Sequence, residues 1–247
     1  MLVLFCLLAV LPAHAPVTVV PAPEPPGYLY RVTLVRAAPG RLLDLIDLYR
    51  DRREALAARG EAAPFRMRHS QGDQWDLLLI FPMESYAAYY HPDRIARREA
   101  HAEADAAFAE ALGERAAWQE DLFVYGPPLD TLRARFEGMG FFHVEMFEAL
   151  PGKRAELYEQ REMENRYYAA LKHPPNLIFV RDRGGAVDLF TLGFYRDLKH
   201  FAESADAPLE AEDRAAKAAG FESVFQISPY LRSLIARHHD TLAVAIR

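Results

Sequence analysis

The sequence has one cysteine and four lysines in 247 residues. The cysteine, Cys6, lies in an apolar N-terminal segment, so the chain beyond it carries no thiol. That excludes disulfides, thiolate nucleophiles and cysteine-held metal centres from the body of the protein. Scarce lysine and a net charge of −6 exclude the dense basic surface that nucleic acid requires. No run of like charge marks a polyanion or membrane-surface site. No nucleic acid partner and no membrane span in the mature chain are expected; a homo-oligomer is allowed.

What is present is a folded composition, 51% apolar and 26% charged. The first fifteen residues, MLVLFCLLAVLPAHA, are too short to cross a bilayer and are broken by Pro12. They end in Ala13-His14-Ala15, the small-residue pattern of a cleavage site, so 1–15 reads as a signal peptide and 16–27 as a Pro-rich extended linker. The protein is therefore expected to be exported, to a periplasm or to the medium.

One phrase is written nearly twice: AAPGRLLDL at 37–45 and ALPGKRAEL at 149–157. Sliding the chain by 112 residues aligns Pro39 with Pro151, Gly40 with Gly152, Leu45 with Leu157, Gly72 with Gly184 and Asp76 with Asp188. The apolar pattern repeats around these identities. Each copy opens with an alternating strand, YLYRVTLVR or FFHVEMFE, and turns at Pro-Gly into a helix. Two strands follow, joined by SQGD or DRGG, then a second helical region and a closing strand, DLFVYG at 121–126 or DTLAVAI at 240–246. That is the β-α-β-β-α-β order of a ferredoxin-like unit, with sheet order 4-1-3-2. The boundaries are 28–128 for unit one, 129–140 for a connector and 141–247 for unit two. Late in unit two, PYLRSLIARH reads as a short helix that places His238 and His239 at its C-terminus.

Candidate chemistry concentrates in unit two. Alternation on its first strand puts His143, Glu145 and Phe147 on one face and Val144 and Met146 on the other. A histidine and a glutamate two apart can share a proton as an acid/base pair. The alternative is a merely polar barrel interior whose groups pair with one another. On the following helix the repeat offset turns Arg161, Asn165 and Tyr168 inward, where a guanidinium needs a carboxylate or a cavity. Asp188 and His239 gather near the end of the first strand by the sheet order. A metal held by His143, Glu145, Asp188 and His239 lacks any HxH or HExxH spacing, so no metal and no other cofactor is assigned.

Two tandem units of this order, with LPGKRAEL after the first strand and DLFTLGFYRDLKHF spanning the third strand and next helix, resemble the dimeric α/β-barrel superfamily, in its NIPSNAP-like, EthD-like and antibiotic-biosynthesis-monooxygenase-like branches. The resemblance implies an α+β fold in which two tandem ferredoxin-like units pair into one α/β barrel. It also implies a small hydrophobic or aromatic ligand in a cavity between helix and sheet. The expected function is an exported small-molecule-binding protein or a cofactor-independent enzyme. In it His143 and Glu145 would be catalytic, and Arg161, Asn165, Tyr168, Asp188 and His239 would bind substrate. The alternative is a non-catalytic binding or assembly module with a structural polar interior, and haem or metal binding, which the superfamily's haem-binding members imply but no motif here matches, is a distant third. A filled interior would favour that module, whereas an open pocket reaching His143 would favour catalysis.

Overall fold

The structure is a computed structural model that describes residues 27–246. The signal segment 1–15 and all of the linker but Gly27 lie outside the described residues. Strand β1 (Tyr28–Ala37) leads to α1 (Leu42–Ala58), β2 (Phe65–Gln71) and β3 (Leu77–Glu84). Three helices follow, α2 (Tyr86–Tyr89), α3 (Pro92–Glu99) and α4 (Ala102–Arg115), then β4 (Ala116–Gly126) and α5 (Leu129–Phe136). The second half runs β5 (Phe141–Ala149), α6 (Arg154–Ala170), β6 (Leu177–Arg183) and β7 (Leu189–Tyr195). It continues through α7 (Leu198–Ala202), α8 (Leu209–Ala219) and α9 (Ile227–Arg232) to β8 (Ile235–Ala245).

All eight strands pair antiparallel, in the closed order β1-β3-β2-β8-β5-β7-β6-β4. Within each half the order is last-first-third-second strand. The halves meet twice, β2 on β8 and β4 on β6. Among the described residues no strand is left with an open edge, which removes the template for further strand addition.

The repeated phrase has a local cause. Gly40 and Gly152 take φ of 77° and 78°, the left-handed region that a side chain disfavours, and so turn the chain from strand to helix. The aspartates repeated 112 residues apart do the same job twice. Asp76 accepts the backbone N–H of Ala37 at 2.8 Å, and Asp188 accepts that of Ala149 at 2.9 Å. Gly72 and Gly184 sit at the crossings between halves. A Cβ on Gly72 would lie 2.2 Å from the Asp240 carbonyl oxygen, and one on Gly184 would lie 2.3 Å from that of Asp121.

The barrel interior is apolar and filled by side chains, not polar as one reading of the sequence allowed. Tyr30, Val32, Leu34, Leu78, Ile80 and Val124 meet Phe142, Val144, Met146, Phe179, Phe190 and Leu192 in one cluster. The Phe179 and Phe190 rings stack at 4.6 Å. The connector also joins this core: Leu132 of α5 is fully buried against it, with Phe136 beside it. The opposite faces of β1 and β3 pack Val35, Leu77 and Leu79 on Leu45 and Tyr49 of α1. Those of β5 and β7 pack Phe147 and Leu189 on Leu157 of α6. Central strands are therefore buried on both faces, and helices cover the outside.

One expected helix end is corrected. The helix read through His238 stops at Arg232, and His238 and His239 belong to β8. The β5 ladder captures this stretch, with Ala149 opposite Ile235 and Glu148 opposite Arg237. The Leu234 carbonyl accepts the Leu150 N–H at 2.9 Å. Ladder bonds on a central strand outweigh the weak capping signal that suggested helix.

A fragment spanning 28–128 leaves β2 without β8 and β4 without β6, and bares the interior face of its sheet. It is expected to aggregate or stay unfolded in light scattering and thermal melts. A monomeric fragment melting cooperatively near the midpoint of the whole chain would overturn this dependence.

Candidate functional site

With Val144 and Met146 committed to the interior, the period of two forces His143, Glu145 and Phe147 outward, beneath α6. The helix meets them with Leu157, Gln160 and Arg161, one turn apart on its inner stripe. Arg161 is 2% exposed and lies 3.4 Å from Glu145, which is itself buried. Its other terminal nitrogen pairs with Glu164, and its Nε donates to Gln160 Oε1 at 2.7 Å. The Thr191 hydroxyl donates to Glu145 at 2.9 Å, and the Tyr168 hydroxyl donates to Glu164 at 2.8 Å. The guanidinium lies over the Phe147 ring at 4.8 Å. His238 stacks parallel on that ring, its Nε2 3.7 Å from Glu145 and without a hydrogen-bond partner.

Two buried carboxylates thus compete for one guanidinium. Burial works to raise the Glu145 carboxyl, but His238, Arg161, His143 and Thr191 together hold it below the ordinary carboxylate range. Burial dominates at Glu164, whose carboxyl is raised although Arg161 opposes the shift. His143 bonds Asp240 through Nε2 rather than Glu145. Burial pulls its pKa down, but the Asp240 bond and the negative charges of Glu145 and Glu164 outweigh that and raise it.

The structure divides the residues singled out in the sequence. His143, Glu145, Arg161 and Tyr168 come together in this network. Asn165, Asp188 and His239 do not. Asn165 is occupied by the backbone of Asn176, giving a bond to its carbonyl at 2.9 Å and taking one from its N–H at 2.8 Å. It anchors the loop before β6. Asp188 is held by the Ala149 N–H and by Arg181 at 2.5 Å, an architectural post like Asp76. His239 faces Asp73 of the other half at 3.2 Å. The donor atoms able to hold a cation are those of His143, Glu145 and Asp240, all within 4.8 Å of one another. A cation there would have to compete with Arg161 for Glu145.

The corresponding place in the first half is open. Between the outer face of β1 and β3 and helices α1 and α4 lies a cavity of about 270 Å³. Arg31, Thr33 and Phe81 form its floor; Tyr49, Arg52 and Leu56 of α1 and Phe108 of α4 form its walls. The repeat offset places Arg31 where His143 stands, Thr33 where Glu145 stands, Tyr49 where Arg161 stands and Arg52 where Glu164 stands. The second half fills with an ion network the space that the first keeps empty. A groove beside Glu84 and His91 is larger, about 480 Å³, but it is a shallow surface feature.

The pocket is polar in an uneven way. Asp105 takes Arg59 at 2.7 Å and Arg52, and Glu61 takes Arg98 at 3.3 Å and Arg94 at 3.6 Å. Burial opposes the Asp105 charge, but the hydrogen bonds from Arg52 and Arg59 hold its carboxyl below the usual range. Arg31 has no ion pair among the described residues and lies over the Phe81 ring at 4.4 Å. Tyr49 is a buried residue whose hydroxyl makes no hydrogen bond among the described residues, and the buried Arg59 Nε has no partner among them. No sequence motif marks this site. Its signal was the asymmetry of the repeat, which sets Arg31 and Thr33 where the second half has His143 and Glu145.

No protein-family model matches the chain, and no curated protein matches it. Solved structures do share its fold. An anthrone oxidase-like protein superposes with a TM-score of 0.57 at 12% identity, over 91% of this chain and 93% of that one. A candidate monooxygenase from Fusobacterium nucleatum subsp. nucleatum gives 0.55 at 12%, over 89% and 93%. Another from Lactobacillus acidophilus gives 0.52 at 8%, over 88% and 93%. At such identities the likeness shows the fold alone, a mixed α+β fold with an antiparallel eight-strand sheet of the ferredoxin-like barrel kind.

Two outcomes follow from the network. Arg161→Leu strands Glu145 and Glu164 in the interior and is expected to cost about 3–5 kcal/mol in denaturant melts. Arg31→Leu, which removes no ion pair, should cost less than about 1 kcal/mol. Equal midpoints for the two variants would show that Arg161 carries no such load. The raised His143 pKa also sets a direction in pH. Its stabilisation is complete below the unfolded value of about 6.5 and is lost as pH rises through the folded value. The stability gap between the native chain and His143→Gln should therefore narrow from pH 6 upward through the neutral range. A gap that stays level or widens would contradict the assigned charge.

Proposed function

We propose that this chain is an exported protein that binds, or converts without a cofactor, a small hydrophobic or aromatic molecule in the pocket between α1, α4 and the sheet. In this reading the chain is two ferredoxin-like units in tandem, closed on each other as one barrel, in the NIPSNAP-like, EthD-like and antibiotic-biosynthesis-monooxygenase-like neighbourhood. The observation that carries it is the 270 Å³ cavity in the first half, with aromatic walls and polar groups lacking partners. Its size lies just under the ~300–1,000 Å³ usual for ligand sites, which suits a compact ligand. The filled barrel interior by itself favours the non-catalytic module, so this reading rests on the pocket outside the barrel and not on any volume within it.

A second reading keeps acid/base chemistry at His143. It is favoured by the exposure of Asp240, whose side chain is 58% accessible and links the imidazole to solvent. In that reading Asp240, not Glu145, is the partner, because the Glu145 oxygens are taken by Arg161 and Thr191.

The first reading is tested with 1-naphthamide, a neutral bicyclic arene, in calorimetric titration of the native chain. Binding is expected, and it should be lost in Leu56→Trp and in Leu112→Trp, each of which fills the pocket from a different helix or turn. Circular dichroism melts confirm that the variants fold. Binding that persists in both folded variants would place the ligand elsewhere.

A further inference from the structure

Charge and hydrogen-bonding capacity at this pocket are out of balance. Counting the groups that line it and those bound directly to them, five guanidiniums face three carboxylates. The cations are Arg31, Arg52, Arg59, Arg94 and Arg98. The anions are Glu61 and Asp105, with Asp121 behind Thr33, whose hydroxyl it accepts. This excess of positive charge stands on a chain whose net charge is −6. Arg31 is the cation left without a carboxylate, and it is held in place by the ring of Phe81 instead. Tyr49, 4% exposed, brings an unused hydroxyl donor to the same floor.

We infer that the ligand of the first-half pocket is a small aromatic anion, an arene carboxylate whose charged end is received by Arg31 and the Tyr49 hydroxyl. This inference rests on the proposed binding function and names the ligand class for that same pocket. The guanidinium fork of Arg31 matches the two oxygens of a carboxylate. A phenol O–H donor beside it completes the acceptor sites of the anion. The arene lies among Phe81, Phe108 and Leu56, where the pocket is apolar. The guanidinium planes of Arg31 and Arg52, each seated on a ring at 4.4 and 4.6 Å, offer further stacking faces. The second half cannot take such a ligand. There the Tyr49 position is Arg161, and Glu145 already supplies its anion from within the chain.

The test compares 1-naphthoate with its neutral isostere 1-naphthamide on the full chain, by titration at low salt. The native protein is expected to bind the carboxylate at least about tenfold more tightly than the amide. Arg31→Gln should bring that ratio near unity, and Tyr49→Phe should lower it by several-fold. Arg50→Gln, on the exposed face of α1 and paired with Asp47, should leave the ratio unchanged. Equal affinity of the native chain for the two probes overturns the anion assignment while the pocket reading stands. A ratio that survives Arg31→Gln also overturns it. Binding of neither probe, or binding that survives in folded Leu56→Trp and Leu112→Trp, removes both.

Discussion

One apolar interior, shared by eight strands, governs everything else in this molecule. Each strand gives one face to it, and Phe142, Val144, Met146, Phe179 and Phe190 from the second half interlock there with Tyr30, Val32 and Ile80 from the first. Dense packing of this kind leaves no room for water or ligand. Polar chemistry is therefore pushed to the outer face of the sheet, where α1 with α4 in the first half and α6 in the second cover it. The placement of His143 and Glu145 under α6, and of Arg31 and Thr33 under α1, follows from strand parity once the interior is spoken for.

Much of this was legible from the residues. The doubled Pro-Gly phrase and the doubled aspartate marked real turns and real posts, because turn geometry is local and needs particular residue types. The grouping of His143, Glu145 and Phe147 on one face held, since alternation is a rigid property of a strand. Which face was inside did not follow, because β5 is buried on both sides and hydrophobicity alone cannot orient it. Asn165 and Asp188 stand apart from the network for a related reason. Polar residues on inward stripes looked like ligand contacts, whereas their partners are backbone groups that composition does not reveal. The strand identity of His239 depended on a ladder with β5, nearly a hundred residues away, which no local pattern contains.

The two halves have spent the same position differently. In one, Arg161 and its carboxylates fill the space beneath the helix with charge. Such a cluster is not a strong source of stability, since desolvation offsets much of the attraction, but its removal piece by piece is costly. It holds α6 at a fixed distance and orientation on the sheet. In the other, Tyr49 and Leu56 line a space beneath the helix that remains open. The second half completes the closed strand order, and the pocket lies beneath the helices of the first.

The crossing glycines, Gly72 and Gly184, lie where a hairpin of one half rests on the backbone of the final strand of the other. Their placement bears on the order of assembly. During synthesis β2 must wait for β8, the last described strand, and the loop between them spans most of the chain. Contacts so distant in sequence form late, after the entropy of a long closure has been met. Until then the first half carries an unsatisfied edge and a bare interior. A chain built this way closes its ring only when β8 has joined β2.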